Sequence, residues 1–191
     1  MPTPMEPDTG GTGPGDGWPD EHRYEVLVRV PAVRDAITAS ASRTRLPMSA
    51  EEFLSRAASA VPLVGRPVLR GAEHGRRLGR KLRFRTGKSY ETELAQPVGR
   101  ALVAVLCSLA LHGQGIRSVE QHEDGCTLTA DIPSDARTFG GVLTVTVTRS
   151  GGHASAVRAK AEIPGQLVDW GRSKQALAAL AADLGNPASP G

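Results

Sequence analysis

Apolar and polar residues alternate along much of the C-terminal half of the chain. Leu143, Val145 and Val147 are separated by threonines, and residues 157–163 alternate apolar with charged side chains. This period of two predicts strands that bury one face and expose the other to water. Turn signals at 124–125 and 150–152 join neighbouring strands, which predicts an antiparallel meander. Its strands are expected at 116–121, 126–132, 143–148 and 157–163.

Helical spacing flanks the meander on both sides. After Pro97, leucines and valines three and four residues apart predict a buried helical face that ends near Gly113. A second helix carries leucines at 177, 180 and 184 and closes at Gly185. With a strand at 90–94, the predicted order over residues 89–185 is β-α-β-β-β-β-α. We therefore predict an α+β fold, in which helices cover one face of an antiparallel sheet.

The N-terminal part of the chain gives weaker signals. Val26, Val28 and Val30 alternate with other residues and predict a short strand over 24–30 that stops at Pro31. The sequence Ser49-Ala-Glu-Glu52 is a capping box and predicts a helix over about 49–61. Residues 21–65 are thus expected to form a strand and helix extension, either packed on the main domain or separate from it. The Gly- and Pro-rich tails, residues 1–20 and 186–191, are expected to be disordered.

Positive charge is concentrated in one segment, residues 66–88, which we call the basic segment. It contains nine basic residues and one acid, Glu73, so its formal charge is +8 and the rest of the chain carries 3 − 8 = −5. Such a segment would attract an acidic protein, nucleic acid or an anionic membrane surface. A solvated linker in an arginine-rich chain is the alternative. The residues assigned to binding an anionic partner are Arg70, Arg76, Arg77, Arg80, Lys81, Arg83 and Arg85.

The strand at 90–94, the strands at 143–148 and 157–163 and the helix at 177–184 together resemble a small START-like domain, the superfamily of polyketide cyclases and lipid-transfer domains. Other β-α-meander-α folds fit the same order. The resemblance implies a site for a small apolar ligand or lipid between the sheet and the terminal helix. Trp170 and Arg172, where that helix begins, are the candidate ligand-binding residues. A core tryptophan beside a helix cap is the simpler interpretation of Trp170.

The sequence offers few candidates for metal-binding or catalytic residues. Cys107 and Cys126 have no partners at metal-ligand spacing and are expected to be reduced thiols. His122, Glu123 and Asp124 crowd one turn with Cys126, but a turn collects polar residues anyway, so we predict no metal and no cofactor. The five histidines are scattered, and no Ser-His-Asp or Cys-His arrangement is apparent, so no catalytic residue is assigned.

Location and function follow from these observations as expectations. Residues 1–20 lack the pattern of a secretory signal, and the longest apolar run, 101–111, is shorter than the roughly 20 residues that span a bilayer. The expected location is cytoplasmic, and the excess of arginine over lysine is typical of a GC-rich bacterial genome. The sequence favours a non-catalytic binding or interaction module with a basic docking segment. The alternatives are a START-like ligand-binding protein or cyclase and a nucleic-acid-binding protein.

Overall fold

A computed structural model describes residues 17–44, 48–60, 89–134, 140–163 and 171–185, together with the backbone of 63–64. In this part of the chain, five α-helices and six strands follow a 3-10 turn at Trp18–Asp20. The helices are α1 (Tyr24–Leu27), α2 (Pro31–Ala41), α3 (Ala50–Ser59), α4 (Val98–Leu111) and α5 (Arg172–Gly185). The strands are β1 (Leu63–Val64), β2 (Ser89–Leu94), β3 (Ile116–Gln121), β4 (Gly125–Ile132), β5 (Gly141–Arg149) and β6 (Ser155–Glu162).

The six strands form one sheet in the order β1-β3-β4-β5-β6-β2. The strands from β3 to β6 make the predicted antiparallel meander, and β2 pairs antiparallel with β6 along its whole length. Only the two-residue strand β1 runs parallel to its neighbour, β3. The α+β fold and the predicted order of elements over residues 89–185 are therefore confirmed.

One face of the sheet is covered by helices and the other is polar. Leu128, Leu143 and Val145 have no exposed surface, because they point toward the helices. Threonines and charged residues such as Arg158 occupy the alternate positions, where they are exposed or half-buried. Helix α4 packs between the sheet and α2, which explains why it is apolar on nearly all sides. Helix α5 packs beside α4 and over β6.

The predicted strand at 24–30 is wrong, because these residues begin a helical region. Tyr24 and Leu27 are the fully buried positions, and they lie three residues apart as on a helix. Pro31 does not end a strand there; it occupies the first turn of α2, where its missing N–H costs nothing. In the N-terminal region, the described strand is β1, at the opposite end of the extension from the predicted one.

The predicted helix after Ser49 is confirmed as α3. The Ser49 hydroxyl accepts a 3.0 Å hydrogen bond from the backbone N–H of Glu52, which is half of the expected capping box. The Glu52 carboxylate instead pairs with Arg56 one turn later, at 2.7 Å. Phe53 and Ala57 form the buried face of this helix. The spacing of apolar residues and the cap together therefore fix where α3 begins and which side faces inward.

The N-terminal helices share one core with the sheet. Tyr24, Ile37 and Phe53 belong to the same buried cluster as Leu143 and Leu180. The 3-10 turn also packs closely on α4, where Trp18 stacks on Arg100 with 5.8 Å from the guanidinium carbon to the ring centre. The described residues of α1, α2 and α3 therefore pack on the sheet and its helices.

Candidate functional site

Most of the residues that the sequence assigns to sites lie outside the described residues. These are Trp170 and the seven basic residues Arg70, Arg76, Arg77, Arg80, Lys81, Arg83 and Arg85. Arg172 is described and is the half-exposed first residue of α5. Further along α5, Leu177, Leu180 and Leu184 are buried against the rest of the core. The described part of α5 is therefore closely packed where the START-like resemblance implies a ligand.

A groove of about 680 Å³ lies between α1, α2 and α3, and we call it the helical groove. Its volume is in the range of sites that hold small molecules or short peptide segments. Tyr24, one of the lining residues, joins α1 to α3, because its hydroxyl donates a 2.8 Å hydrogen bond to the carbonyl of Ala57. The described lining residues are Tyr24, Glu25, Val28, Arg29, Arg34, Thr38, Ala50, Glu51, Leu54, Ser55, Ala58 and Ala60.

The lining of the helical groove is apolar inside and polar at the rim. The more buried lining residues include Tyr24, Val28 and Leu54. The exposed charged ones are Arg29 on the α1 side and Arg34 on α2, together with Glu25 and Glu51. Within the described part of the chain, neither arginine forms an ion pair, so both guanidinium groups can receive an external carboxylate or phosphate. The groove can thus hold a ligand that is apolar in the middle and carries an anionic group where it meets Arg29 or Arg34.

A serine, a histidine and an aspartate also meet between α4 and α5. The Ser108 hydroxyl donates a 2.6 Å hydrogen bond to Oδ2 of Asp183, and His112 Nε2 lies 3.0 Å from the same oxygen. In a catalytic triad the histidine stands between the serine and the acid, whereas here the aspartate takes the middle place. The cluster therefore joins two helices and does not activate the serine as a nucleophile.

Both cysteines are free thiols, as expected, and neither is activated. Burial raises the pKa of Cys126 to about 12 and also raises the pKa of Cys107. A nucleophilic or metal-binding cysteine needs the thiolate, which a raised pKa disfavours at neutral pH. Burial likewise raises the pKa of Tyr24, so its hydroxyl remains a hydrogen-bond donor.

The crowded turn before β4 has a structural explanation. His122 Nε2 lies 2.8 Å from the Thr127 hydroxyl, which in turn lies 2.9 Å from the Thr146 hydroxyl on the next strand. Among the described residues, no group of three or more histidine, cysteine or acidic side chains is placed to hold a metal ion. His122 is therefore explained by its contact with threonines on the open face of the sheet, and Cys126 is buried on the other face.

The chain has no match in three comparisons with known proteins. No family model, no curated protein and no solved structure matches it. Within the described ranges, no helix is both long enough and apolar enough to cross a membrane.

Sequence reasoning missed the helical groove and the cluster around Asp183. The groove depends on α2, whose signal was present as Val33, Ile37 and Ala41 at helical spacing. The residues of the cluster lie 71 and 75 positions apart in the chain, so no local pattern joins them. Both features require knowledge of which helices pack together.

Proposed function

We propose that the protein is a non-catalytic binding module that receives an acidic, amphipathic segment of a partner protein in the helical groove. The observation that carries this proposal is the combination of an apolar interior with two arginines at the rim, Arg29 and Arg34, that form no ion pair with the described residues. Apolar side chains of the partner would pack on Val28 and Leu54, and its carboxylates would pair with the arginines. The free thiols are compatible with the proposed cytoplasmic location.

The basic segment supports the same choice of partner. Its charge of +8 is a sequence property, and it connects β1 to β2, which are the two opposite edges of the sheet. A field of this sign accelerates the encounter with an acidic surface, and its effect falls as salt is added. In this proposal the basic segment attracts the partner and the helical groove provides the specific contact.

The state of the potential nucleophiles supports a non-catalytic role. Cys107, Cys126 and Tyr24 all have raised pKa values, whereas an activated nucleophile has a lowered one. Ser108 is 3% exposed and donates its hydrogen bond to Asp183. In the described part of the chain, these groups are explained by packing and by helix contacts.

The proposal is tested with a labelled peptide of about 15 residues that carries leucine at helical spacing and glutamate beside it. Binding to the full chain is measured by fluorescence anisotropy. Arg34→Glu should weaken binding by about tenfold, which corresponds to about 1.4 kcal/mol. Lys174→Glu is the matched control, because it makes the same charge change at an exposed position of α5, away from the groove.

A second variant separates the groove from general charge attraction. Leu54→Asp places a carboxylate among the apolar lining residues and should abolish specific binding, although the net charge changes by only one. Equal affinities for the parent chain, Arg34→Glu and Lys174→Glu would mean that the peptide binds through the basic segment alone. Failure of the peptide to bind at all would refute the proposed function.

The strand order supports a second candidate, a START-like ligand carrier or cyclase. Over residues 89–185, β2 lies beside β6 and α5 packs over β6, and a terminal helix packed across the sheet is what the resemblance implies. Trp170 and Arg172 would then contact a small apolar ligand. Native mass spectrometry of gently purified protein tests this, because a retained ligand gives excess mass that disappears on denaturation. A ligand-free mass would leave the helical groove as the better-supported site.

Nucleic-acid binding through the basic segment is the third possibility, and its signature is salt dependence. Neutralising phosphates releases counterions, so affinity for single-stranded DNA would fall steeply as salt rises. This affinity for DNA would be lost when four arginines are changed to glutamine: Arg76, Arg77, Arg80 and Arg83. If DNA competes with the acidic peptide at low salt only, the groove and not the segment carries the specific contact.

A further inference from the structure

The part of the helical groove that α3 provides is a stripe along the length of this helix. Its members are related by steps of three and four residues, which places them on one face of α3: Ala50, Glu51, Leu54, Ser55 and Ala58. At 1.5 Å per residue, the stripe from Ala50 to Ala58 is about 12 Å long. An occupant that follows α3 over this distance needs about two turns of α-helix.

The charged residues differ between the two sides of the groove. Among the described lining residues, the α3 side carries one charge, Glu51, in the first turn of that helix. The side formed by α1, α2 and the residues between them carries Arg29 and Arg34, and also Glu25. Within the described ranges, Glu51, Arg29 and Arg34 form no ion pair with one another or with a further residue. Negative and positive charge are therefore held apart across the groove, where a ligand can reach both.

Glu25 lies close to another cation. The pKa of the Arg23 guanidinium is raised, first by its hydrogen bond to Glu21 and in addition by the charge of Glu25. The charge of Glu25 is thus partly balanced by Arg23. The side formed by α1 and α2 therefore acts on a ligand mainly through its two arginines, and the α3 side acts through Glu51.

An amphipathic helix of a partner protein fits the apolar part of this groove. Ala50, Leu54 and Ala58 lie on one face of α3, and apolar residues of the partner at positions i, i+4 and i+7 would pack on them. The two flanks of that helix then lie against the two sides of the groove. The groove of a second copy does not fit, because two identical concave surfaces cannot fill each other.

We propose that the partner helix carries acidic residues on the flank that meets Arg29 and Arg34 and a basic residue on the flank that meets Glu51. This inference rests on the proposed function and adds to it the charge pattern of the partner and the direction in which it binds. Turning the helix end for end exchanges its flanks and places acidic side chains against Glu51, where like charges repel. Glu51 thus determines both which helix binds and in which direction.

The experiment titrates two labelled peptides of about 15 residues, with leucines at the same helical positions, into the full chain at low salt. The two-flank peptide carries glutamates on one flank and lysines on the other, and the acidic peptide carries glutamates on both flanks. We expect the two-flank peptide to bind about fivefold more tightly. General attraction to the basic segment would favour the acidic peptide, so it cannot produce this result. Circular dichroism of the free peptides verifies that their helix content is equal.

Variants of α3 assign the effect to Glu51. Glu51→Gln should weaken binding of the two-flank peptide by about threefold and should strengthen binding of the acidic peptide. Glu52→Gln is the matched control, because it removes the same charge from the same helical turn, whereas Glu52 pairs with Arg56 and does not line the groove. The control should leave both affinities within about twofold of the parent chain. Thermal unfolding verifies that both variants are folded.

A nitroxide at the N-terminus of the two-flank peptide reports the direction of binding. In NMR spectra of the isotope-labelled chain, it should broaden amide signals at one end of α3, either at Ala50 or at Ala60. Equal broadening at both ends, equal or tighter binding of the acidic peptide, or equal effects of Glu51→Gln and Glu52→Gln would overturn this inference and leave the proposed function intact. If neither peptide bound, for instance because another segment of this chain fills the groove, the proposed function would fail as well.

Discussion

The hydroxyl of Tyr24 donates its hydrogen bond to the carbonyl of Ala57, although 33 residues separate them in the chain. Ala57 is in the last turn of α3, where backbone carbonyls have no partner within the helix. Tyr24, the first residue of α1, therefore supplies a hydrogen-bond donor to the C-terminal end of α3. Tyr24→Phe keeps the buried ring but leaves this carbonyl unpaired, so we expect a loss of about 1–2 kcal/mol in the free energy of unfolding, measured with urea.

The matched control for this change is Phe53→Tyr, which buries an additional hydroxyl and should destabilise the fold. A Tyr24→Phe variant as stable as the parent would show that water or another donor replaces the hydroxyl at the end of α3.

Stability should fall at alkaline pH. The pKa of Cys126 is about 12 in the folded chain against an ordinary value of 9.0, and burial is the cause. Above pH 9 the unfolded chain releases this proton while the folded chain keeps it, so the free energy of unfolding falls as pH rises. One such group contributes a slope of up to about 1.4 kcal/mol per pH unit.

Chemical unfolding of the reduced protein at pH 8 and pH 10.5 measures this slope. Cys126→Ala should lower the number of protons released on unfolding by about one, and the slope of the unfolding free energy with pH should fall accordingly. The same change also lowers stability at pH 8. An unchanged slope in that variant would assign the alkaline loss to other groups. Cys107 and Tyr24 have raised pKa values of the same origin and contribute in the same direction.

Gly99 is required by the close approach of the 3-10 turn to α4. A β-carbon at this position would overlap the Trp18 carbonyl oxygen and lie 2.7 Å and 2.8 Å from those of Pro19 and Glu21. Gly99→Ala should therefore cost about 1–3 kcal/mol of stability, although alanine is the better helix former. Gly185→Ala, at the open end of α5, is the control and should be neutral or stabilising. Equal effects in thermal unfolding would contradict this packing.

The contact between Ser108 and Asp183 should couple α4 to α5. Asp183→Ala leaves the buried Ser108 hydroxyl without its acceptor and should cost about 1–3 kcal/mol. Ser108→Ala removes the hydroxyl as well and should recover part of that cost in the double variant. A double-mutant cycle on the free energy of unfolding should give a coupling of about 0.5–3 kcal/mol. Strict additivity would show that the two side chains do not interact in solution.

Gln121 connects the backbone at the start of α1 to the hairpin of β3 and β4. Its Oε1 accepts a 3.0 Å hydrogen bond from the Tyr24 backbone N–H, and its Nε2 lies 3.0 Å from the His22 carbonyl and 2.8 Å from that of Gly125. Gln121→Glu would place a carboxylate oxygen against these carbonyls, so we expect a loss of about 1–3 kcal/mol. Gln175→Glu makes the same change at an exposed site of α5 and should have little effect.

The meander was predictable because its signals are local. Cys126 to Ile132 and Leu143 to Thr148 alternate without interruption, and short turns join the strands, so period and turn chemistry agree. The capping box at Ser49 is equally local, and its hydrogen bond lies where the sequence predicts it. Agreement between local signals is what makes these elements recognisable without tertiary information.

The helical region at 24–41 was not predictable from the same rule. Val26, Val28 and Val30 alternate as in a strand, but the chain buries Tyr24 and Leu27 instead. Residues that are distant in the chain stabilise the helical conformation. The backbone N–H of Tyr24 donates a hydrogen bond to Gln121, and the Tyr24 hydroxyl donates one to the carbonyl of Ala57. Tertiary contacts thus override a weak local preference, and the helical groove, which depends on this region, is hidden from the sequence for the same reason.

The shared core has a consequence for a chain cut between Val64 and Ser89. Residues before the cut contribute seven buried side chains to the core, among them Tyr24, Ile37 and Phe53, and residues after it contribute the other buried side chains of the described cluster. Neither piece can bury its apolar surface alone, but together they complete the same interior. A protease acting between these residues would therefore yield two fragments that remain bound to each other, and separately expressed fragments should assemble into one folded protein.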